Sequence, residues 1–231
     1  RALAKQLVEA GHEVWGVARR VELLRGLQRE VGERLHISRC DVGDFEDCRR
    51  VAHQMRVAGF IPDVFVLNAG TFISDIKESF SFAVHRKQFD VNVDGVLVWI
   101  DEFLPDMLRR NSGMFVGISS TAALAPSGSA SYSATKAALS MAFRQFRISF
   151  EKSGVLFSTV HFGPINTALW PGPKFALLPS AEQAASFIAK VIKRKSGSYF
   201  YPFGMTMVMR VGKFVPDRIL RSILDRFRDR K

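Results

Sequence analysis

Short runs built almost wholly from Val, Ile, Leu and Phe recur along this chain, separated by longer segments of helical period. Met114-Phe115-Val116-Gly117-Ile118 and Asp63-Val64-Phe65-Val66-Leu67 are typical. A strand that is apolar throughout needs cover on both faces, and alternation with helices then points to βαβ units and a parallel sheet. The expected fold is α/β, a doubly wound parallel sheet, with ligands binding beyond the carboxyl ends of the strands. Strands are expected over 12–18 (buried), 35–40, 63–67, 114–118 and 155–160, with a short one around 199–201. Helices are expected over 2–10, 20–31, 44–58, 80–110, 130–152 and 180–195, the third with Val51, Met55 and Ala58 on one face. Residues 1–202 read as one domain, and 203–231 as a separate tail.

Composition narrows the function classes. Apolar residues make up 47% of the 231 positions and charged ones 24%, which excludes a disordered or collagen-like chain. No apolar run approaches the roughly 18 residues of a membrane-spanning helix. The net charge of +11 suits an anionic partner, but basic residues are spread over the whole chain and no nucleic-acid module is recognised, so nucleic-acid binding is not expected. Cys40 and Cys48 have no metal-like spacing to His and read as reduced thiols of a cytoplasmic protein; no metal site is expected.

The residues with chemistry lie where strands stop. Tyr132 and Lys136 are four apart on a helix and share a face. An ammonium beside a phenol favours phenolate, so this pair is expected to lower the phenol from its usual value near 10 and fit it for proton transfer. Ser119-Ser120 ends one strand and Asn68-Ala69-Gly70 another, with a glycine that permits close backbone approach. Asn92 is a polar residue in a mostly apolar helix, and Gly163-Pro164-Ile165-Asn166-Thr167 follows the strand at 155–160.

In this order, these motifs resemble the short-chain dehydrogenase/reductase family across nearly all of residues 1–202, with its Rossmann-like fold. The resemblance implies that Tyr132 donates or accepts the proton, Lys136 holds the nicotinamide ribose, Ser120 orients the substrate carbonyl and Asn92 holds a water linked to Lys136. It implies cofactor contacts from Asp41, Val42, Asn68, Ala69, Gly70, Tyr132, Lys136, Gly163, Pro164, Ile165 and Thr167. Ser119 satisfies the family's count of thirteen residues before the Tyr and Ser120 its Ser-Ser pair; Ser120 is favoured, because strand register is harder to shift than loop length. Leu67 and Phe162 depart from the usual pattern without removing a catalytic group. The glycine-rich phosphate loop and first strand of the family are expected to precede Arg1, and residues 1–231 alone to bind cofactor poorly.

In such folds a carboxylate about twenty residues after that loop binds the ribose 2′-hydroxyl, and Arg suits a 2′-phosphate. Here the chain reads Ala18-Arg19-Arg20, so NADP(H) is expected over NAD(H). The segment 168–195 is expected to form a substrate lid, and its apolar, aromatic first part points to a hydrophobic alcohol or ketone. In the tail, Val215, Ile219, Leu220, Ile223, Leu224 and Phe227 form a helical stripe flanked by arginines, a pattern that fits either a membrane surface or docking on the protein body or a partner subunit. The expected function is thus an NADP(H)-dependent carbonyl–alcohol oxidoreductase, a homo-oligomer, with a catalytically weak membrane-surface scaffold as the alternative.

Overall fold

The computed structural model describes residues 1–75, 79–126, 128–167, 178–212, 215, 216 and 218. Helix α1 (Ala2–Glu9) is followed by β1 (Val14–Ala18), α2 (Val21–Val31), β2 (Leu35–Arg39), α3 (Phe45–Val57) and β3 (Val64–Leu67). Then come α4 (Phe82–Phe89), α5 (Gly95–Arg109), β4 (Gly113–Ser120), α6 (Ala130–Ser149), β5 (Val155–Phe162), α7 (Ala181–Ile192), β6 (Gly197–Tyr201) and α8 (Phe203–Gly212). All pairings between these strands are parallel: β1 with β2, and β3-β4-β5-β6 in that order.

The four-stranded sheet is held by an aromatic ladder. Phe65, Phe115 and Phe157 are register partners on β3, β4 and β5, and their rings stack at 5.4 and 5.3 Å. Phe103 of α5 and Phe143 and Phe146 of α6 close over them. Each fully buried Phe contributes about 1.5–3 kcal/mol of transfer free energy. Gly117 lies directly beneath Phe143, where a methyl would come within 2.7 Å of the ring. That absent side chain lets α6 press onto the strand end. Val116, Ile118 and Val160 face the opposite layer, where Ile188 and Val191 of α7 and Leu3 of α1 cover them.

Several expected boundaries move. β4 and β5 run to Ser120 and Phe162, because the ladder continues through Ser119↔His161 and Ser120↔Phe162. The serine pair is therefore inside the sheet. β1 is only half-buried along its whole length, not buried as expected: among the described residues it pairs with β2 alone. On α3 the buried face is Cys48, Val51, Ala52 and Met55, and Ala58 lies exposed beyond the helix end. The expected helix 80–110 starts at a Ser81 cap and is interrupted by a π-helical turn, Asp90–Asp94. Gly95 follows it where a methyl would meet the Val42 carbonyl at 2.1 Å, so the widened turn can pack against the segment after β2 only because residue 95 lacks a side chain.

Of the expected lid, residues 168–177 lie outside the described residues, and α7 follows a Ser180–Gln183 capping box. In the tail, α8 docks on the body: Thr206 is buried and the Arg210 guanidinium lies 4.6 Å above the Phe200 ring. Of the tail stripe only Val215 lies within the described residues. No helix among the described residues is long and apolar enough to cross a membrane.

Candidate active site

The two serines at the end of β4 point to opposite faces of the strand, and this separates their roles. Ser119 is buried, donates to the Lys136 carbonyl at 3.1 Å and pairs with the Ser140 hydroxyl at 2.8 Å. Its hydroxyl is tied to the backbone of α6. Ser120 instead accepts from the Ala122 amide at 3.1 Å and lies on the side of the Tyr132 phenol, close enough to act on its titration.

Tyr132 sits in the first turn of α6, where Ser129 caps the helix by accepting from the Tyr132 amide at 3.2 Å. Lys136 follows one turn later and is buried. Its Nζ donates to the Ile118 carbonyl at 2.9 Å and stands 5.7 Å from the Tyr132 ring centre. Burial lowers this ammonium to about 8. The phenol differs from expectation: burial raises it above its ordinary value, and the Ser120 side chain works in the opposite direction. The expected lowering by Lys136 is corrected accordingly, because that ammonium is committed to a backbone carbonyl and desolvation dominates at the phenol.

Asn92 is fully buried. Its Oδ1 accepts from the Thr71 amide at 2.7 Å, and its Nδ2 donates to the Thr71 carbonyl at 2.9 Å and the Thr135 hydroxyl at 3.1 Å. The π turn thus aims this amide at the loop after Gly70 and at α6, where it braces the two. A methyl on Gly70 would lie 3.4 Å from Asn92 Oδ1 and 3.6 Å from Lys136 Nζ, so the loop passes directly over the ammonium. Asn68 and Ala69 lead into it, exposed at the end of β3.

At the ends of β1 and β2 lies a hollow of about 220 Å³ lined by Arg19, Asp41, Gly43, Lys87, Asp90 and Val91, among others. Arg19 stands 3.7 Å from Asp41, and Asp41 Oδ1 accepts from the Gly43 amide at 3.1 Å. Val42 adjoins this hollow, with its carbonyl against Gly95. Arg20 is exposed at the start of α2 and does not line it. Beyond β5, the Gly163 amide donates to the Tyr201 carbonyl at 2.9 Å, and the Thr167 amide to the Ile165 carbonyl at 2.8 Å; Pro164 lies between. Among the described residues no group of His, Cys, Asp or Glu could hold a metal.

Sequence reasoning missed a second tier of residues. Gln88 Oε1 accepts from the Ile73 amide, and the Asp75 carboxylate accepts from the first turn of α6. Phe72 packs edge-on against Tyr132 at 5.0 Å. These partners lie 15 to 55 or more residues apart in sequence, and no short motif marks them.

A family model described as short chain dehydrogenase matches residues 1–172. The chain belongs to this family. An uncharacterized oxidoreductase of Myxococcus xanthus is 27% identical over 99% of this chain and 92% of its own length. An NADPH-dependent pterin aldehyde reductase of Arabidopsis thaliana is 36% identical over 52% of this chain and 51% of its own length. Among solved structures, a short-chain dehydrogenase from Streptomyces avermitilis superimposes with a TM-score of 0.82 at 26% identity, covering 99% of this chain and 92% of that one. In this short-chain dehydrogenase, Ser120 ends β4, and α6 brings Lys136 against the same strand one turn after Tyr132.

Proposed function

We propose that the protein is an NADP(H)-dependent oxidoreductase that interconverts a carbonyl and an alcohol on a hydrophobic substrate. The observation that carries this reading is the meeting of the Ser120 hydroxyl, the Tyr132 phenol and the buried Lys136 ammonium beside the Gly70 loop. The residues present fit a nicotinamide cofactor. Lys136 gives one donor to Ile118 and has two more N–H groups for ribose hydroxyls, and Arg19 borders a hollow of suitable polarity at the adenosine end. The pterin aldehyde reductase named above, which is NADPH-dependent, supports the same choice.

When bound, the cofactor supplies the hydride. The chain's own groups do the rest. Tyr132 stays protonated at neutral pH, since burial holds the phenol up, and so stands ready to give its proton to a developing alkoxide. Ser120, beside that phenol at the end of β4, turns its hydroxyl to donate to the same oxygen and fixes its place. Lys136 remains largely charged below pH about 8 and, anchored on the Ile118 carbonyl beside the Gly70 loop, would hold the ribose hydroxyls. Asn92 holds the Thr71 loop and α6 in register, and Gly163, Pro164, Ile165 and Thr167 would contact the nicotinamide end.

The test is NADPH oxidation by the purified intact protein against panels of aldehydes, ketones and lipid carbonyls. Turnover with at least one apolar carbonyl, and weaker turnover with NADH, is expected. Turnover with none of the three classes would overturn the reading.

A further inference from the structure

Asp75 lies in the loop between β3 and α4, yet it is 2% exposed. Its carboxylate accepts from the Ala130 amide at 3.0 Å, from the Ser131 amide at 2.7 Å and from the Ser131 hydroxyl. Burial acts to raise this carboxyl, but the bonds from the Ser131 hydroxyl and amide work against it, and it stays below its usual value. Its own carbonyl accepts from the Ser81 amide at 3.0 Å, at the start of α4. Ser129 ties the same loop again by donating to the Ile73 carbonyl at 3.1 Å.

The first amides of a helix have no partner within the helix. In α6 the amides of Ala130 and Ser131 go to Asp75, and that of Tyr132 goes to Ser129. The turn from which the phenol projects is therefore held at its three leading amides by two side chains. One of the two arrives from 55 residues away, on the loop that continues from Gly70 over Lys136. A carboxylate suits the place for a specific reason: everything around it donates. An amide of the same shape would set an NH₂ group against N–H and O–H donors.

We propose that Asp75 is a positioning residue for Tyr132. It fixes the first turn of α6 against the Gly70–Asp75 loop, and so sets where the phenol stands relative to Ser120 and Lys136. Displacement of a reacting group by about 1 Å can lower a rate some 10²-fold, so a loosened turn is expected to reduce turnover more than cofactor binding. This inference rests on Tyr132 acting as the proton donor.

The experiment compares wild type, Asp75→Asn and the milder Ser131→Ala in the intact protein. It combines hydrogen exchange at the Ala130–Tyr132 amides, NADPH affinity, and kcat per NADPH-binding site. In Asp75→Asn, amide exchange is expected to be at least about 10-fold faster and kcat about 10-fold lower, with NADPH affinity within about twofold. Ser131→Ala leaves the carboxylate both of its amide donors, so it is expected to lower kcat about 2–3-fold; it reports on the clamp even if Asp75→Asn does not fold. Faster exchange with unchanged kcat would reduce Asp75 to a purely structural cap and overturn the proposal. Unchanged exchange with lowered kcat would overturn it too, as would a Ser131→Ala protein indistinguishable from wild type. A wild-type protein without turnover would instead refute the oxidoreductase reading itself, which separates the two failures.

Discussion

The four-stranded sheet and the β1–β2 pair are both parallel, and both end in residues expected to meet a cofactor, yet different forces hold them. In the former, Phe115 and Phe157 are fully buried, and the groups at the strand ends are tied by buried hydrogen bonds: Ser119 to α6, Asn92 to Thr71 and Thr135, Lys136 to Ile118. In the latter, β1 is half-buried throughout, and its terminal Arg19 pairs with Asp41 across 3.7 Å with both side chains more than a third exposed. The difference teaches where each task belongs. Proton transfer needs atoms placed to a fraction of an ångström, which a packed aromatic sheet provides. Discrimination of a phosphate needs charge within reach, which an exposed arginine provides with little rigidity.

That comparison breaks first, if it is wrong, on stability. Phe157→Ala in the packed sheet should cost about 3–5 kcal/mol, against about 1 kcal/mol for Val17→Ala in β1. Chemical denaturation measures both, and equal losses would abolish the distinction. Next comes a pH effect confined to the packed sheet. Burial holds His161 down to about 4, stacked on Phe200 with its Nδ1 unpartnered among the described residues. The unfolded chain binds this proton near 6.5 and the folded chain only near 4, so stability is lost as pH falls through that window, by up to about 3 kcal/mol. His161→Gln should flatten this acid limb in thermal melts at pH 7 and pH 4.5, whereas an unchanged limb would place the acid sensitivity elsewhere. Smallest is the change expected at the exposed end. Arg19→Ala should reduce the preference for NADPH over NADH by about tenfold, near 1.4 kcal/mol, and leave kcat at saturating NADPH within twofold. Steady-state kinetics with both cofactors decides it, and an unaltered preference would remove Arg19 from cofactor selection.

Much of this was legible because it is local. The strands announce themselves as apolar runs, and Tyr132 with Lys136 needs only helical spacing. The choice between Ser119 and Ser120 needed the pleat: neighbours on a strand face opposite ways, and only the extension of β4 to Ser120 shows which one meets the phenol. The half-burial of β1 was hidden because Val14–Ala18 reads as apolar whether or not both edges are paired. Asp75 and Gln88 were hidden for another reason. Their partners are 55 and 15 residues away, joined only once the loop after β3 folds back over α6 and α4. The phenol's raised titration was also out of reach, since spacing reports which charges are near but not how dry the site is.

The central claim is that the phenol of residue 132 delivers the proton while the cofactor is held by other groups. Tyr132→Phe keeps the ring, its packing on Phe72 and the helix, and removes only the hydroxyl. NADPH-dependent carbonyl reduction by this variant should fall by at least about 10²-fold with NADPH affinity essentially unchanged. Turnover within a fewfold of wild type at undiminished NADPH binding would contradict it.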